Sequence, residues 1–482
     1  MTLNLRKTGG NALSILTSDA MNRATSFFLY ALVARHLGAH EFGQLALALT
    51  LFYTFQVLAV SGLKTLIIRQ VTKDRALTGK YFVNAFAIVF FSSLCSLGAL
   101  FGFVRLMHYP GDTALIIVLL GLGLLPYAIS AVCEGIFQAW ERMSYIPLVN
   151  VPINAAKVGC AFLVLSMSRS LYGVVWVLLC ALVATAGIEL WILVRRFQAQ
   201  NASFDLHFSL DTMRSAFTFL GIDSTIAIMS SLNILFLSKL ASETEVGLYG
   251  AATQLMVPLL LVYQSFAQSI FPVMCRKAES GFSSLKQIAE QAIEMLLVLA
   301  LPGVIGLLFF GQWLISVLYK NSIFLQAYPA LQIIAWILVS QVFTAVLGQV
   351  LVASHREKVS LKIVIVDTLV NLVIGWPLIR FFGLRGAAIS LVVMRLVDCV
   401  QHYVPVSRLF SGISLAKIVW KPMVAASCMV VYLALDVAHK GILTSVVATL
   451  IYAAALLVLA VLACGGVRQF REKYLLLLSA RG

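Results

Sequence analysis

In "SDAMNRATSF", residues 18–27, Asp19 and Arg23 stand four positions apart, one helical turn, with Asn22 beside them. The surrounding run is otherwise apolar enough to cross a bilayer. Comparable residues recur inside later apolar runs: Asn150, Asn154 and Lys157, then Glu189, Asp223, Asp367 with Asn371, and Arg395 with Asp398. A charge at the bilayer centre costs about 2.5–3.5 kcal/mol even on a lenient insertion scale, so such residues face an interior, where they bind charge or relay protons.

Each has a plainer reading as well. Asp19 with Arg23, and Arg395 with Asp398, can neutralise one another as intrahelical ion pairs near a wet helix end. Glu189 and Asp223 lie near the ends of their runs, where carboxylates can reach headgroup water. Lys64 closes the second run, where it either sets topology or admits a charged ligand. Lys157 has no charged neighbour on its own helix and shares a polar face with Asn150 and Asn154, which points it into a cavity. On the first run Asn11, Ser14, Ser18, Asn22 and Thr25 follow helical spacing, so one side of that helix is polar throughout its depth.

The elements that must position these side chains are membrane helices. Hydrophobic residues make up 61% of the 482, charged residues 11%, and mean hydropathy is +0.96. Soluble domains carry about a quarter charged residues. Apolar stretches of about 20 residues, each long enough to span a bilayer, give about fourteen spans, from 13–34 to 443–464. The expected class is an all-α polytopic membrane protein. The start "MTLNLRKTGGNAL" is basic but no cleavage site follows the apolar stretch, so an uncleaved first span is expected.

The net charge of +15 invites a nucleic-acid reading, but the Lys and Arg are not gathered on one solvated face. With the N-terminus cytoplasmic, 24 of the 35 fall on the cytoplasmic side and eight on the other, while Arg23, Lys157 and Arg395 lie within spans. That is a positive-inside distribution, and no nucleic-acid partner is expected. The eight cysteines form no C-x-x-C and sit mostly in apolar runs, as small buried hydrophobes rather than metal ligands or disulfides. No cofactor or metal is expected. G-x-x-x-x-G-K-[ST] is absent, which argues against ATP drive within the chain.

The chain also repeats itself. "LGAHEFGQLALA" (37–48) resembles "ASETEVGLYGAA" (241–252), with Glu41 and Gly43 matching Glu245 and Gly247 at an offset of 204. "GIFQAWER" (135–142) resembles "GQVLVASHR" (348–356), and "LYGVV" (171–175) resembles "LRGAA" (384–388). The matches fall in order, six spans apart, so the copies run parallel about an axis along the membrane normal. The expected organisation is an N-terminal lobe at 1–195, a cytoplasmic linker at 196–214, a second lobe at 215–408, and two extra spans with a tail at 409–482.

These segments also carry a family likeness. "ARHLGAHEFGQLALA" (34–48) resembles the signature after the first span of bacterial polysaccharide (oligosaccharide-lipid) flippases. "EVGLYGAATQLMVPL" (245–259), "FQAWERMSYIPLVN" (137–150) and "LVASHREKVSLKI" (351–363) resemble later segments of the same family, within the multidrug/oligosaccharidyl-lipid/polysaccharide exporter superfamily. The resemblance implies two pseudo-symmetric six-helix lobes around a central cavity, and no covalent chemistry. It implies movement of an undecaprenyl-diphosphate-linked oligosaccharide to the periplasmic leaflet of a bacterial inner membrane by alternating access, with both termini cytoplasmic. Arg23, Lys157, Arg395 and Lys64 would then contact the diphosphate, since cations in a low-dielectric cavity bind phosphate oxygens by charge-assisted hydrogen bonds. Asp19, Asn22, Asn154, Asp223, Asp367, Asn371 and Asp398 would line the cavity, orient those cations or carry coupling protons. Membrane lipid, a polysaccharide polymerase and a chain-length partner are the implied associates. Two rivals remain: a drug/cation antiporter of the same superfamily, and a membrane polysaccharide polymerase or ligase.

Overall fold

The computed structural model describes residues 5–197, 203–279, 281–354, 356–435 and 441–463. Among these there is helix and connecting turn, with no strand. In chain order the helices are α1 (Leu5–Leu37), α2 (Ala39–Val60), α3 (Leu63–Lys73), α4 (Thr78–Leu106), α5 (Gly111–Gly121), α6 (Leu124–Ala139), α7 (Tyr145–Ser168) and α8 (Leu171–Arg196). After them come α9 (Leu206–Leu240), α10 (Glu243–Glu279), α11 (Phe282–Tyr319), α12 (Tyr328–Ile334), α13 (Ile337–Ala353), α14 (Glu357–Leu409), α15 (Leu415–Leu435) and α16 (Ile442–Ala463).

Eleven helical segments among the described residues are long and apolar enough to cross a membrane, or twelve if Ser322–Ile334 and Ile337–Ala353, bent by 45°, form one span. That is fewer than the fourteen expected from sequence. Two differences have visible causes. The expected spans 361–381 and 386–405 are the two arms of α14, two helices joined at a kink at Gly383 (φ 51, ψ −127), which the count takes as one. The first expected span lies in α1, which is outside the eleven. Other spans are composite: α2 with α3, and α5 with α6, each act as one crossing with an internal break.

The chain divides into two compact units, residues 1–254 with 371–387, and residues 255–370 with 388–482. In the first unit α2 and α10 meet backbone to backbone. A Cβ on Gly43 would overlap the Glu243 carbonyl oxygen and lie 2.9 Å from the Gly247 nitrogen. A Cβ on Gly247 would overlap the Ala39 carbonyl oxygen and lie 3.0 Å from the Gly43 nitrogen. The contact is reciprocal: Ala39 and Gly43 correspond to Glu243 and Gly247 at the 204-residue offset of the repeat. Matched positions touching each other's partners is the geometry of a two-fold contact.

Glu245, the repeat partner of Glu41, has a second task. Its Oε2 accepts a hydrogen bond of 2.6 Å from the Leu384 backbone nitrogen, just beyond the break at Gly383. A Cβ on Gly383 would come within 2.5 Å of that oxygen. The carboxylate thus caps the second arm of α14, satisfying an amide that the break frees.

The linker is tied down where it re-enters the described residues. Buried Asn84 on α4 donates to the carbonyls of Lys80 (2.8 Å) and Ser203 (3.0 Å). It accepts from the Asp205 nitrogen (2.9 Å) and the Ser209 hydroxyl (2.8 Å). Asp205 in turn caps α9 through the Phe208 amide and pairs with Lys80 at 3.0 Å. In the second unit Leu301, Ile305 and Phe310 of α11 form a core with Ala425, Met429 and Leu433 of α15 and Ala448 and Tyr452 of α16. The Tyr452 hydroxyl donates to the Val298 carbonyl at 3.0 Å. α15 is therefore packed against α11, and α16 packs chiefly on α15.

Candidate functional site

Two positive-φ residues begin the site. Ser61 (φ 53) and Gly62 (φ 70) break the chain between α2 and α3. Gly62 must be glycine there, because a Cβ would meet the Ala216 carbonyl at 2.7 Å as well as carrying that φ. The break redirects the chain so that Lys64 opens α3 against α6. The two helices approach closely at Gly135, whose added Cβ would be 3.3 Å from the Lys64 carbonyl oxygen. Lys64 Nζ then reaches Glu134 Oε2 at 2.5 Å. The other carboxylate oxygen, Oε1, accepts from Asn150 Nδ2 at 3.2 Å, and Asn150 also reaches Ser18 Oγ at 3.3 Å.

A turn further along α7, Lys157 Nζ donates to Asn154 Oδ1 at 2.6 Å. Among the described residues no carboxylate pairs with it. Pro152 inside this helix removes one backbone hydrogen bond beside that polar face. These side chains line a cavity of about 410 Å³ whose walls also include Asn22, Ser26, Tyr53, Tyr127 and Ser130. A second cavity of about 490 Å³ adjoins it, sharing Tyr53, Lys64, Tyr127 and Ala131. Its remaining wall is mainly apolar, with Val57, Val60, Ile226 and Ala227, and carries Thr50, Thr54, Gln56, Ser230, Ser231 and Asp223. Lys64 stands at the junction of the two.

Behind the first cavity Glu189 is fully buried. Its Oε2 accepts from Ser130 Oγ at 2.5 Å, while Oε1 has no hydrogen-bond partner among the described residues. This corrects the expectation that Glu189 reaches headgroup water. α8 packs on α6, and that packing turns Glu189 inward to Ser130 rather than outward to the interface.

The expected site residues do not form one cluster. Lys64, Lys157, Asn22 and Asn154 line the first cavity, and Asp223 joins Lys64 in the second. Arg23 is exposed and outside both linings. The Asp19 side chain lies outside the described residues. In the second unit Arg395 pairs with Asp398 at 3.4 Å, His402 Nδ1 meets Asp398 Oδ1 at 2.8 Å, and Gln401 Nε2 donates to Asp367 Oδ1 at 2.8 Å. The intrahelical ion pair read for Arg395 and Asp398 is thus formed. Asn371, a turn beyond Asp367 on α14, is buried. Sequence reading overlooked Glu134, although a lone carboxylate in "SAVCEGIF" one residue past an expected span end was a usable signal. Gln401 and His402 were overlooked because they look ordinary until α14 folds back at Gly383.

The site is thus a pair of adjoining cavities, with cations and amides in their walls, among helices long and apolar enough to cross a membrane. Residues 9–277 match the family model described as polysaccharide biosynthesis protein, and residues 224–376 match the MatE model. The chain belongs to the polysaccharide biosynthesis protein family. It is 21% identical over 403 residues to a probable low-salt glycan biosynthesis flippase of Haloferax volcanii, covering 81% of this chain and 82% of that protein. It is 29% identical over 174 residues to a probable lipid II flippase of Bdellovibrio bacteriovorus, covering 35% and 33% of the two chains. Its fold is similar to the inward closed conformation of a lipid II flippase (TM-score 0.74, 14% identity, 92% of this chain and 96% of that one). It is also similar to an inward-facing multidrug resistance MATE transporter (TM-score 0.65, 16% identity, 82% and 98%). These relatives are transporters and flippases, not enzymes.

Proposed function

We propose that this protein carries an undecaprenyl-diphosphate-linked oligosaccharide from the cytoplasmic to the periplasmic leaflet of a bacterial inner membrane, by alternating access, for O-antigen, capsule or exopolysaccharide synthesis. The observation that supports this most is the pair of adjoining cavities with Lys64 at their junction. In this reading Lys157 and Lys64 hold phosphate oxygens in the first cavity, with Asn22, Asn150 and Asn154 donating to them. The second cavity, which shares Tyr53 and Tyr127 with the first, accommodates the sugars against its apolar and aromatic wall, with Thr50, Thr54, Gln56, Ser230 and Ser231 within reach of their hydroxyls.

Outward movement of about two negative charges through an inside-negative potential of 100 mV is favoured by roughly 4–5 kcal/mol. That is enough to drive flipping without a coupling ion. The test is in cells depleted of the protein. Lipid-linked oligosaccharide should accumulate and stay protected from a glycan-modifying enzyme added outside spheroplasts, and Lys157→Ala should reproduce the block. Accumulation on the outer leaflet would overturn the reading in favour of a polymerase or ligase. No accumulation would overturn it in favour of a drug/cation antiporter.

A further inference from the structure

The second unit has a groove of its own, unrelated to the two cavities. It is about 400 Å³ and runs between the two arms of α14, lined by Val359, Lys362 and Ile363 on one arm and Val400, Gln401, Val404, Pro405 and Arg408 on the other. Each set follows helical spacing, so two continuous faces meet along it. Its volume lies within the range of about 300–1,000 Å³ typical of small-ligand sites.

The groove has two chemically distinct ends. Val400 and Val404 are 59% and 40% exposed although they belong to a membrane-crossing segment, so they meet acyl chains. One turn past Val404 comes Arg408, at the end of that segment, and Lys362 lies at the start of the opposite arm. Both cations are exposed and neither makes an ion pair among the described residues. Among the described residues no carboxylate lines the groove. The nearby Asp367 and Asp398 are bound by Gln401, Arg395 and His402 instead. On the positive-inside expectation from the sequence, this end lies at the cytoplasmic interface.

We propose that this groove binds one anionic phospholipid, its phosphate held between Lys362 and Arg408 and the start of an acyl chain lying against Val400 and Val404. An apolar wall leading to two uncompensated cations at headgroup depth matches the two ends of a phospholipid. Basic pockets between helices at the cytoplasmic face are where anionic headgroups bind. A net-negative headgroup fits and a zwitterionic one does not, because the latter brings its own ammonium to two cations. The site is independent of the glycan-lipid cavities.

The test uses the full chain, purified into nanodiscs of phosphatidylcholine and phosphatidylglycerol, with retained lipid read by native mass spectrometry after mild detergent exchange. The wild-type protein should retain one phosphatidylglycerol in preference to phosphatidylcholine. Lys362→Gln with Arg408→Gln should weaken that retention about thirtyfold, from the usual contribution of two basic side chains at an anionic surface. Val404→Trp, which fills the groove and leaves both charges, should also displace the lipid, and it reads the site even if the charge variant misfolds. Equal retention of the two lipids by the wild-type protein would overturn the proposal. So would displacement of the lipid by millimolar inorganic phosphate, which would make this a simple anion site.

Discussion

Replacing Glu134 by Gln should tighten the binding of a diphosphate rather than weaken it. Lys64 already has a partner, the Glu134 carboxylate at 2.5 Å, so an incoming phosphate must displace that carboxylate or share the ammonium with it. Two unit charges 4 Å apart at an effective dielectric of 20 attract by about 4 kcal/mol. A hydrogen bond to a charged group contributes roughly 1.5–3 kcal/mol net of water. The pair borders a cavity, with side chains 34% and 18% exposed, so the lower range applies. Removing the competition should tighten binding by about 1.5–3 kcal/mol, or roughly 10- to 150-fold in Kd. Gln retains a carbonyl oxygen for the Asn150 amide, so the local network is preserved. The assay is calorimetric titration of inorganic pyrophosphate into the purified protein in nanodiscs at fixed salt. Lys64→Gln added to Glu134→Gln should erase the gain. The reasoning is refuted if the Gln variant binds within twofold of wild type, or if its gain survives loss of Lys64. Tighter binding should also slow release, so flipping by Glu134→Gln should fall even as affinity rises.

Other perturbations test the frame around the site. Gly43→Ala forces α2 and α10 apart and should cost about 1–3 kcal/mol as overpacking, seen as a lower melting temperature; Gly247→Ala should do the same. Because the two share one contact, their combined effect should fall short of the sum, and full additivity would argue against the reciprocal contact. Asn84→Ala removes three hydrogen bonds to the linker, at Ser203, Asp205 and Ser209, and should cost about 2–4 kcal/mol locally, read as faster proteolytic cleavage within 196–214. The Phe208 amide and Lys80 hold the Asp205 carboxyl below the usual carboxylate range. Its folded pKa lies under its unfolded value, so the anchoring is present above about pH 4 and is lost as pH falls through the folded pKa. Cleavage should rise only in that acid window, and Asp205→Asn should remove the pH dependence.

What was legible in the sequence was what composition and periodicity control. The helical class followed from the apolar runs, and the repeat was readable because Glu41 and Gly43 recur as Glu245 and Gly247. The break in α14 at Gly383 was legible too, since the expected spans 361–381 and 386–405 leave it between them. In the site, Lys157 and Asn154 were legible because they share one helix. Lys64 with Glu134, and Glu189 with Ser130, were not, because each pair joins residues about 60 or 70 positions apart through the packing of α6 on α3 and α8. Arg23 is exposed and lies outside the two cavity linings, although its neighbours Asn22 and Ser26 line the first.

The contact between Gly43 and Gly247 bears on ancestry. A position that packs against its own repeat copy is what two identical six-span chains would present to each other as a symmetric dimer. Joining such chains in one polypeptide replaces a diffusional encounter in the membrane with a tethered one at high effective concentration. It also frees the copies to diverge everywhere except at the shared point. There a side chain added to either copy meets the other's backbone, so a change in one cannot be compensated by the same change in its twin. The two glycines are constrained as a pair, while Lys64 and Glu134 in one copy are free to have no counterparts in the other.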